Sequence, residues 1–191
     1  LSTSRLKRLL ADARPMTNHI DKEILSDGDH FGYDDTNWVR CWYDMGQRYD
    51  DPRGDVFAYR AVSLEGELFW LVYHFSKKHP FHADRATADD AVTMARAFWA
   101  RRKATRKRMP EIKALRRDIL LGRRRGTVIY EDSAAAGLCR MGTDGFLRAI
   151  GMPGRRQVPA KLLAVLSYFE PQAAMCLLTC FDRIAAAKAP V

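Results

Sequence analysis

Two runs of β-branched and aromatic residues, 56–64 and 68–75, flank the three residues Glu65-Gly66-Glu67. That arrangement predicts a β-hairpin, because short apolar runs split by a turn-forming glycine pair most simply with each other. Alternation puts Phe57, Tyr59 and Ala61 on one face with Phe69, Leu71, Tyr73 and Phe75. So large an apolar face needs a cover, and the next segment is expected to supply it. Thr87 reads as an N-cap, and Asp89 and Asp90 stand where a helix dipole favours anions. Ala88, Ala91, Val92, Ala95, Phe98 and Trp99 then recur at helical spacing. We therefore expect a helix over 87–108, packed along its first half. Beyond Trp99 the stripe gives way to Arg101-Arg102-Lys103-Ala104-Thr105-Arg106-Lys107-Arg108, which should project into solvent before Pro110 stops or kinks the helix.

Around this unit the pattern is looser. Residues 4–13 read as a short helix with Leu6, Leu9 and Leu10 on its apolar edge. Residues 26–55 read as turn-rich, punctuated by Gly28, Gly32, Gly46, Pro52 and Gly54, with Trp38, Trp42 and Tyr43 packing them onto the body. A helix over 111–121 presents Ile112, Leu115, Ile119 and Leu120 and ends at Gly122. A short strand at 127–130 precedes two short helices, 131–139 and 143–150, separated by Arg140-Met141-Gly142. Two apolar helices, 161–169 and 171–186, close the chain, with Pro171 suited to a first turn. The expected fold class is α+β: a small antiparallel hairpin or sheet backed by a long helix, followed by a mostly helical C-terminal half. A division into 1–109 and 110–191 is compatible with one compact domain in a chain of 191 residues.

Charge narrows the function classes. The chain carries 32 Lys+Arg against 23 Asp+Glu, a net +9. Residues 1–75 hold nine basic and 13 acidic side chains, 76–126 hold 16 and 5, and 127–191 hold 7 and 5. The basic surplus thus sits in one stretch, the pattern expected of a polyanion-binding face. Arg outnumbers Lys 23 to nine, which suits bidentate phosphate contacts. We expect nucleic-acid phosphates, DNA before RNA, to be met by Arg101, Arg102, Lys103, Arg106, Lys107 and Arg108, helped by Arg123, Arg124 and Arg125 of a short basic loop. The acidic N-terminal third could instead dock on these cations.

Residues 127–159 add a motif. Thr127-Val128-Ile129-Tyr130, the pair Ala135-Ala136, a turn at Met141-Gly142-Thr143, the inward-facing Phe146, Leu147 and Ile150, and Gly151-Met152-Pro153 with Arg155-Arg156 follow one another in order. This order resembles the winged helix-turn-helix of MerR-type regulators and phage excisionases. The resemblance implies a bacterial or phage-type regulator whose second helix enters the major groove, giving contact roles to Thr143, Asp144 and Arg148, with Arg155 and Arg156 on the wing. Gly137 and Gly145 depart from the pattern, since glycine weakens a helix interior by ~1 kcal/mol. Asp144 also departs from it, as an anion facing phosphate.

Two other classes stay open. One is a non-enzymatic interaction module, an inhibitor or adaptor that docks on an acidic partner or forms a homodimer. The other is a metal-dependent enzyme using Asp27, Asp29, His79 or His82. The turn 27–35 has carboxylates at calcium-loop positions, but Phe31 and Trp38 occupy ligand places. G-x-G-x-x-G, Walker, G-x-S-x-G and H-E-x-x-H signatures are missing from the sequence, so no catalytic residue, cofactor or metal is assigned. Cys41, Cys139, Cys176 and Cys180 form no C-x-x-C pair and read as reduced core thiols of a cytoplasmic protein. The longest apolar stretch, 162–181, is broken by Glu170-Pro171-Gln172, so no membrane span is expected. The chain opens on Leu1, which leads us to expect residues before it, and shows no signal segment.

Overall fold

The computed structural model describes residues 31–35 and 38–187; the helix expected over 4–13, together with Asp27 and Asp29, lies outside them. Five strands form an antiparallel meander in chain order: β1 (Phe31–Asp34), β2 (Cys41–Asp50), β3 (Val56–Ser63), β4 (Leu68–His74) and β5 (Phe81–Ala83). Helices α1 (Ala88–Lys107) and α2 (Met109–Leu120) follow. A two-stranded ribbon of β6 (Thr127–Ile129) and β7 (Gln157–Pro159) encloses α3 (Tyr130–Ala135) and α4 (Arg140–Ala149), and α5 (Ala160–Leu166) and α6 (Pro171–Ala186) end the fold. The class is α+β, with the sheet followed by helices, as expected.

The hairpin forms where the sequence places it. Its turn is fastened by Ser63, whose Oγ accepts the N–H groups of Glu65 and Glu67, each at 3.2 Å. Much of the segment read as turn-rich is sheet. Strand β2 carries an irregularity between Asp44 and Arg48, where the register to β3 shifts. The polar stretch Asp44–Arg48 falls there, so no clean alternation runs along the strand.

The cover arrives on the other face from the one expected. Helix α1 packs Ala91, Val92, Ala95 and Phe98 against Val56, Ala58, Val72, Phe81 and Ala83. Alanines on both partners let the helix approach the sheet closely, which the bulky aromatic face would prevent. That aromatic face is concave instead. Ala61, Phe69 and Leu71 bury with Val39, Cys41 and Met141, while Phe57 and Tyr73 stack at 5.2 Å and Tyr43 and Tyr59 at 5.0 Å. Phe75 at its end is 68% exposed. The curl is strong. The Tyr73 hydroxyl of β4 donates to Asp34 of β1 at 3.4 Å, although three strand spacings in a flat sheet would separate their backbones by ~14 Å.

Thr87 caps α1 as expected, its Oγ1 accepting the Asp90 N–H at 3.2 Å. Just past its midpoint α1 meets the turn after α3. Gly137 there has φ +83°, and a Cβ on it would fall 2.5 Å from the Phe98 carbonyl oxygen and 2.7 Å from the Arg102 nitrogen. Gly137 is therefore a turn residue outside α3. The turn between the paired helices is 136–139, and Met141, Gly142 and Thr143 lie inside α4. The shift has a local cause, because Cys139 caps α4 with its sulfur, which accepts the Gly142 N–H at 3.3 Å. Gly145 is likewise a packing device: a Cβ would overlap the Trp38 carbonyl oxygen.

The C-terminal half is built around α6. Ala173, Ala174, Met175, Cys176, Leu177, Leu178 and Cys180 are all buried, meeting Ile112, Leu115 and Ile119 of α2 and Leu163 and Ala164 of α5. Buried Asp132 accepts the Ile129 N–H at 2.9 Å and is paired with Arg183 of α6 at 2.9 Å, which fastens α3 to α6. Replacing Gly137 by Ala adds both a left-handed φ and a backbone clash, so Gly137→Ala should lower unfolding free energy by about 2 kcal/mol or more. The midpoint of urea denaturation checks this.

Candidate polyanion-binding cleft

Helix α1 buries one stripe and offers another. Arg96, Trp99, Ala100, Lys103 and Lys107 recur at i, i+3, i+4, i+7 and i+11, so they share a face, with Arg102 and Arg106 beside it. Opposite this face run Ser76, Lys77, Lys78 and His79 of the β4–β5 connection, and Arg53 of the β2–β3 turn completes the rim. Together they line an open cleft of about 890 Å³. Eight Lys and Arg side chains line it, and among the described residues no carboxylate does.

Two of the eight are structural. Arg96 bridges Asp51 at 2.6 Å and Asp55, tying α1 to the β2–β3 turn. These carboxylates raise the Arg96 pKa, and hydrogen bonding from Arg96 holds the Asp55 carboxyl below its ordinary value. Arg102 turns inward. Burial lowers its pKa, one NH2 reaches Gln172 at 3.4 Å, and its buried Nε has no hydrogen-bond partner. The remaining six, Arg53, Lys77, Lys78, Lys103, Arg106 and Lys107, make no ion pair among the described residues. The Lys77 ammonium lies 5.2 Å from the Trp99 ring, whose edge also meets His74 at 5.4 Å. Six cations that pair with no carboxylate among the described residues gather beside the Trp99 indole and make this face positive, with Asp51 and Asp55 held against Arg96 at its edge.

The structure sorts the residues expected to contact nucleic acid. It brings Arg102, Lys103, Arg106 and Lys107 into the cleft. Arg101 is exposed outside it, stacked on Phe98 at 5.1 Å. Arg108 is held by Glu111 at 2.7 Å and Asp182 at 2.6 Å. Arg123 faces Asp118 at 3.7 Å, Arg124 lies 6.0 Å from the Phe181 ring, and Arg125 is exposed beside them, so these three form a separate loop. Sequence reasoning missed Lys77 and Lys78, although they stand within the same basic stretch, and Arg53, for which the sequence carries no signal.

The helical pair is engaged internally. Thr143 donates to the Cys139 carbonyl at 2.9 Å, and Asp144 accepts from the Tyr130 hydroxyl at 2.8 Å. Arg148 pairs with Glu65, and Arg140 with Glu67 at 3.2 Å and Asp84 at 3.0 Å, so the hairpin turn lies along α4. Arg155 is exposed in the connection from α4 to β7, so the wing expected there is a single loop, and Arg156 stacks on Tyr130 at 4.5 Å. The acids of the N-terminal third that pair with basic residues beyond residue 75 do so with Arg96, Arg140 and Arg148, and none reaches Arg101–Lys107 among the described residues. Of the three histidines described, His82 is not in a loop but buried at the centre of β5.

The chain matches no family model, no curated protein and no solved structure. Among the described residues no helix is long and apolar enough to cross a membrane.

The Arg96 cluster gives a pH signature. The Asp55 carboxyl ordinarily titrates near 3.8 and is held lower in the fold by Arg96. A depressed folded-state value means stabilisation that is complete above the ordinary value and lost as pH falls through the folded one. Between pH 5 and pH 2, roughly spanning that window, the thermal midpoint of the native chain should fall further than that of Asp55→Asn. Melting curves at stepped pH measure the difference.

Proposed function

We propose that the protein binds nucleic acid through the cleft between α1 and the β4–β5 connection, as a regulatory DNA-binding protein whose affinity comes from the phosphate backbone. One observation carries the reading: among the described residues, six cations that make no ion pair converge on a cleft that no carboxylate lines. Phosphates fit such a site because neutralising them releases condensed counterions, the dominant sequence-independent gain in affinity. The pair of short helices α3 and α4, joined by the tight turn 136–139, supports the helix-turn-helix resemblance, which favours DNA over RNA. In this reading α4 does not read bases while Arg140 and Arg148 are paired to Glu67 and Glu65, so binding tolerates changes of sequence. Arg155, exposed between α4 and β7, is available as an auxiliary backbone contact, with Arg156 stacked on Tyr130 beside it, whereas Thr143 and Arg148 are not part of the interface.

Affinity for a short labelled duplex should fall steeply with salt. Six phosphate contacts give a slope of log K against log salt of roughly −5. The triple variant Lys103→Glu, Arg106→Glu, Lys107→Glu should abolish binding at moderate salt. The matching reversal of Arg123, Arg124 and Arg125 should weaken it far less. Fluorescence anisotropy across a salt series reads both. Salt-insensitive binding, or a greater loss from the loop variant than from the α1 variant, overturns the proposal.

A further inference from the structure

The curl of the sheet brings three unlike donors together. Asp34 closes β1 and is the register partner of Cys41, which opens β2. His82 is the middle residue of β5 and shares their face through its partner Leu71. In a flat sheet, β2 and β5 would stand ~14 Å apart. Here a ring nitrogen of His82, the Cys41 sulfur and a carboxylate oxygen of Asp34 all lie within 4.8 Å of one another.

The imidazole is set up as a ligand. His82 is 1% exposed. Its Nδ1 contacts the Cys139 sulfur at 3.6 Å, and its Nε2 is buried with no hydrogen-bond partner. With Nδ1–H given to the Cys139 sulfur, Nε2 keeps a lone pair inside the fold. An unpaired buried nitrogen costs free energy that a cation would recover.

We propose that Asp34, Cys41 and His82 form a binding site for one divalent transition-metal ion of the zinc type. Sulfur and imidazole select such ions over calcium or magnesium, which want oxygen alone. Zinc–ligand bonds of about 2.0–2.3 Å put tetrahedral ligands roughly 3–4 Å apart, so a small contraction closes the site. Half-buried Asp34 has the freedom to supply it. The outer contacts orient the ligands, as metal sites require: Tyr73 donates to Asp34 at 3.4 Å, and Cys139 engages His82. On binding, Cys41 releases its thiol proton to solvent as the sulfur–metal bond forms. Asp34 and His82 contribute lone pairs, and no oxidation state changes. Three protein ligands leave a fourth position for water. The ion would join β1 and β2 to β5 across the concave face. The proposal is independent of the nucleic-acid reading, since none of the three residues lines the basic cleft.

Titration of the metal-free full chain with cobalt(II) tests it. The expected result is a near-ultraviolet thiolate-to-cobalt band that saturates at about one ion per chain, the single position the three ligands define, and that zinc(II) displaces. Zinc at about a hundredfold above its dissociation constant should raise the thermal midpoint by roughly 5–10 °C. Cys41→Ser should remove the band, and Cys176→Ser should leave it. Asp34→Asn should weaken cobalt binding about tenfold or more. The proposal is overturned if the native chain shows no thiolate band, or if the band survives in Cys41→Ser. Should Cys41→Ser fail to fold, unchanged cobalt affinity in Asp34→Asn overturns it.

Discussion

The backbone-to-backbone contact at Gly137 holds the two halves of the molecule in one arrangement. Helix α1 has its first half on the sheet and its second half against the turn that precedes α4. Only a residue without a Cβ fits there, and its left-handed φ directs the chain back toward the sheet. From that point Cys139 caps α4 and contacts His82, Met141 enters the concave core, and Arg140 reaches the hairpin turn. A single close approach thus fixes the placement of α4, the plugging of the curled sheet and the direction in which α1 leaves its packed half. Because α1 is held by the sheet along its first half and by this turn at Phe98 and Arg102, its remaining face can carry like charges side by side.

Charge is distributed by subtraction. Acids of the hairpin and the β2–β3 turn take up Arg96, Arg140 and Arg148, and Glu111 with Asp182 takes up Arg108. Apart from the largely buried Arg96–Asp51 bridge, these surface pairs add little stability each, on the order of 0–1 kcal/mol. Their larger effect is to decide which cations stay unneutralised. The strip along α1 and the two lysines that follow β4 are among those left, and there they stand together.

Wherever the hydrophobic period was uninterrupted, the fold was legible in the sequence. The hairpin, the Thr87 cap, the buried stripe of α1 and the spacing of Ile112, Leu115 and Ile119 all stand as read. The reading failed where tertiary contact overrides local pattern. Strand β2 is interrupted at Asp44–Arg48, and β5 is too short to show a period. The sheet face that α1 covers is not the aromatic one the pattern points to, because the alanines that permit close packing carry no local signal. The α3–α4 turn was placed four residues late because Gly137 and Cys139 act through distant partners. Half of the cleft was visible as clustered charge. Lys77, Lys78 and Arg53 join it only through the fold, and the meeting of Asp34, Cys41 and His82 depends on a curl that no single strand encodes.

That curl also bears on how the protein behaves in company. The long strands, of ten, eight and seven residues, are all interior to the sheet. The outermost ones have only four and three. A stray strand approaching either border therefore finds at most a few free backbone groups to pair with, on a rim bent out of plane. Molecules set side by side, as the proposed nucleic-acid binding would set them, have little opportunity for their sheets to fuse.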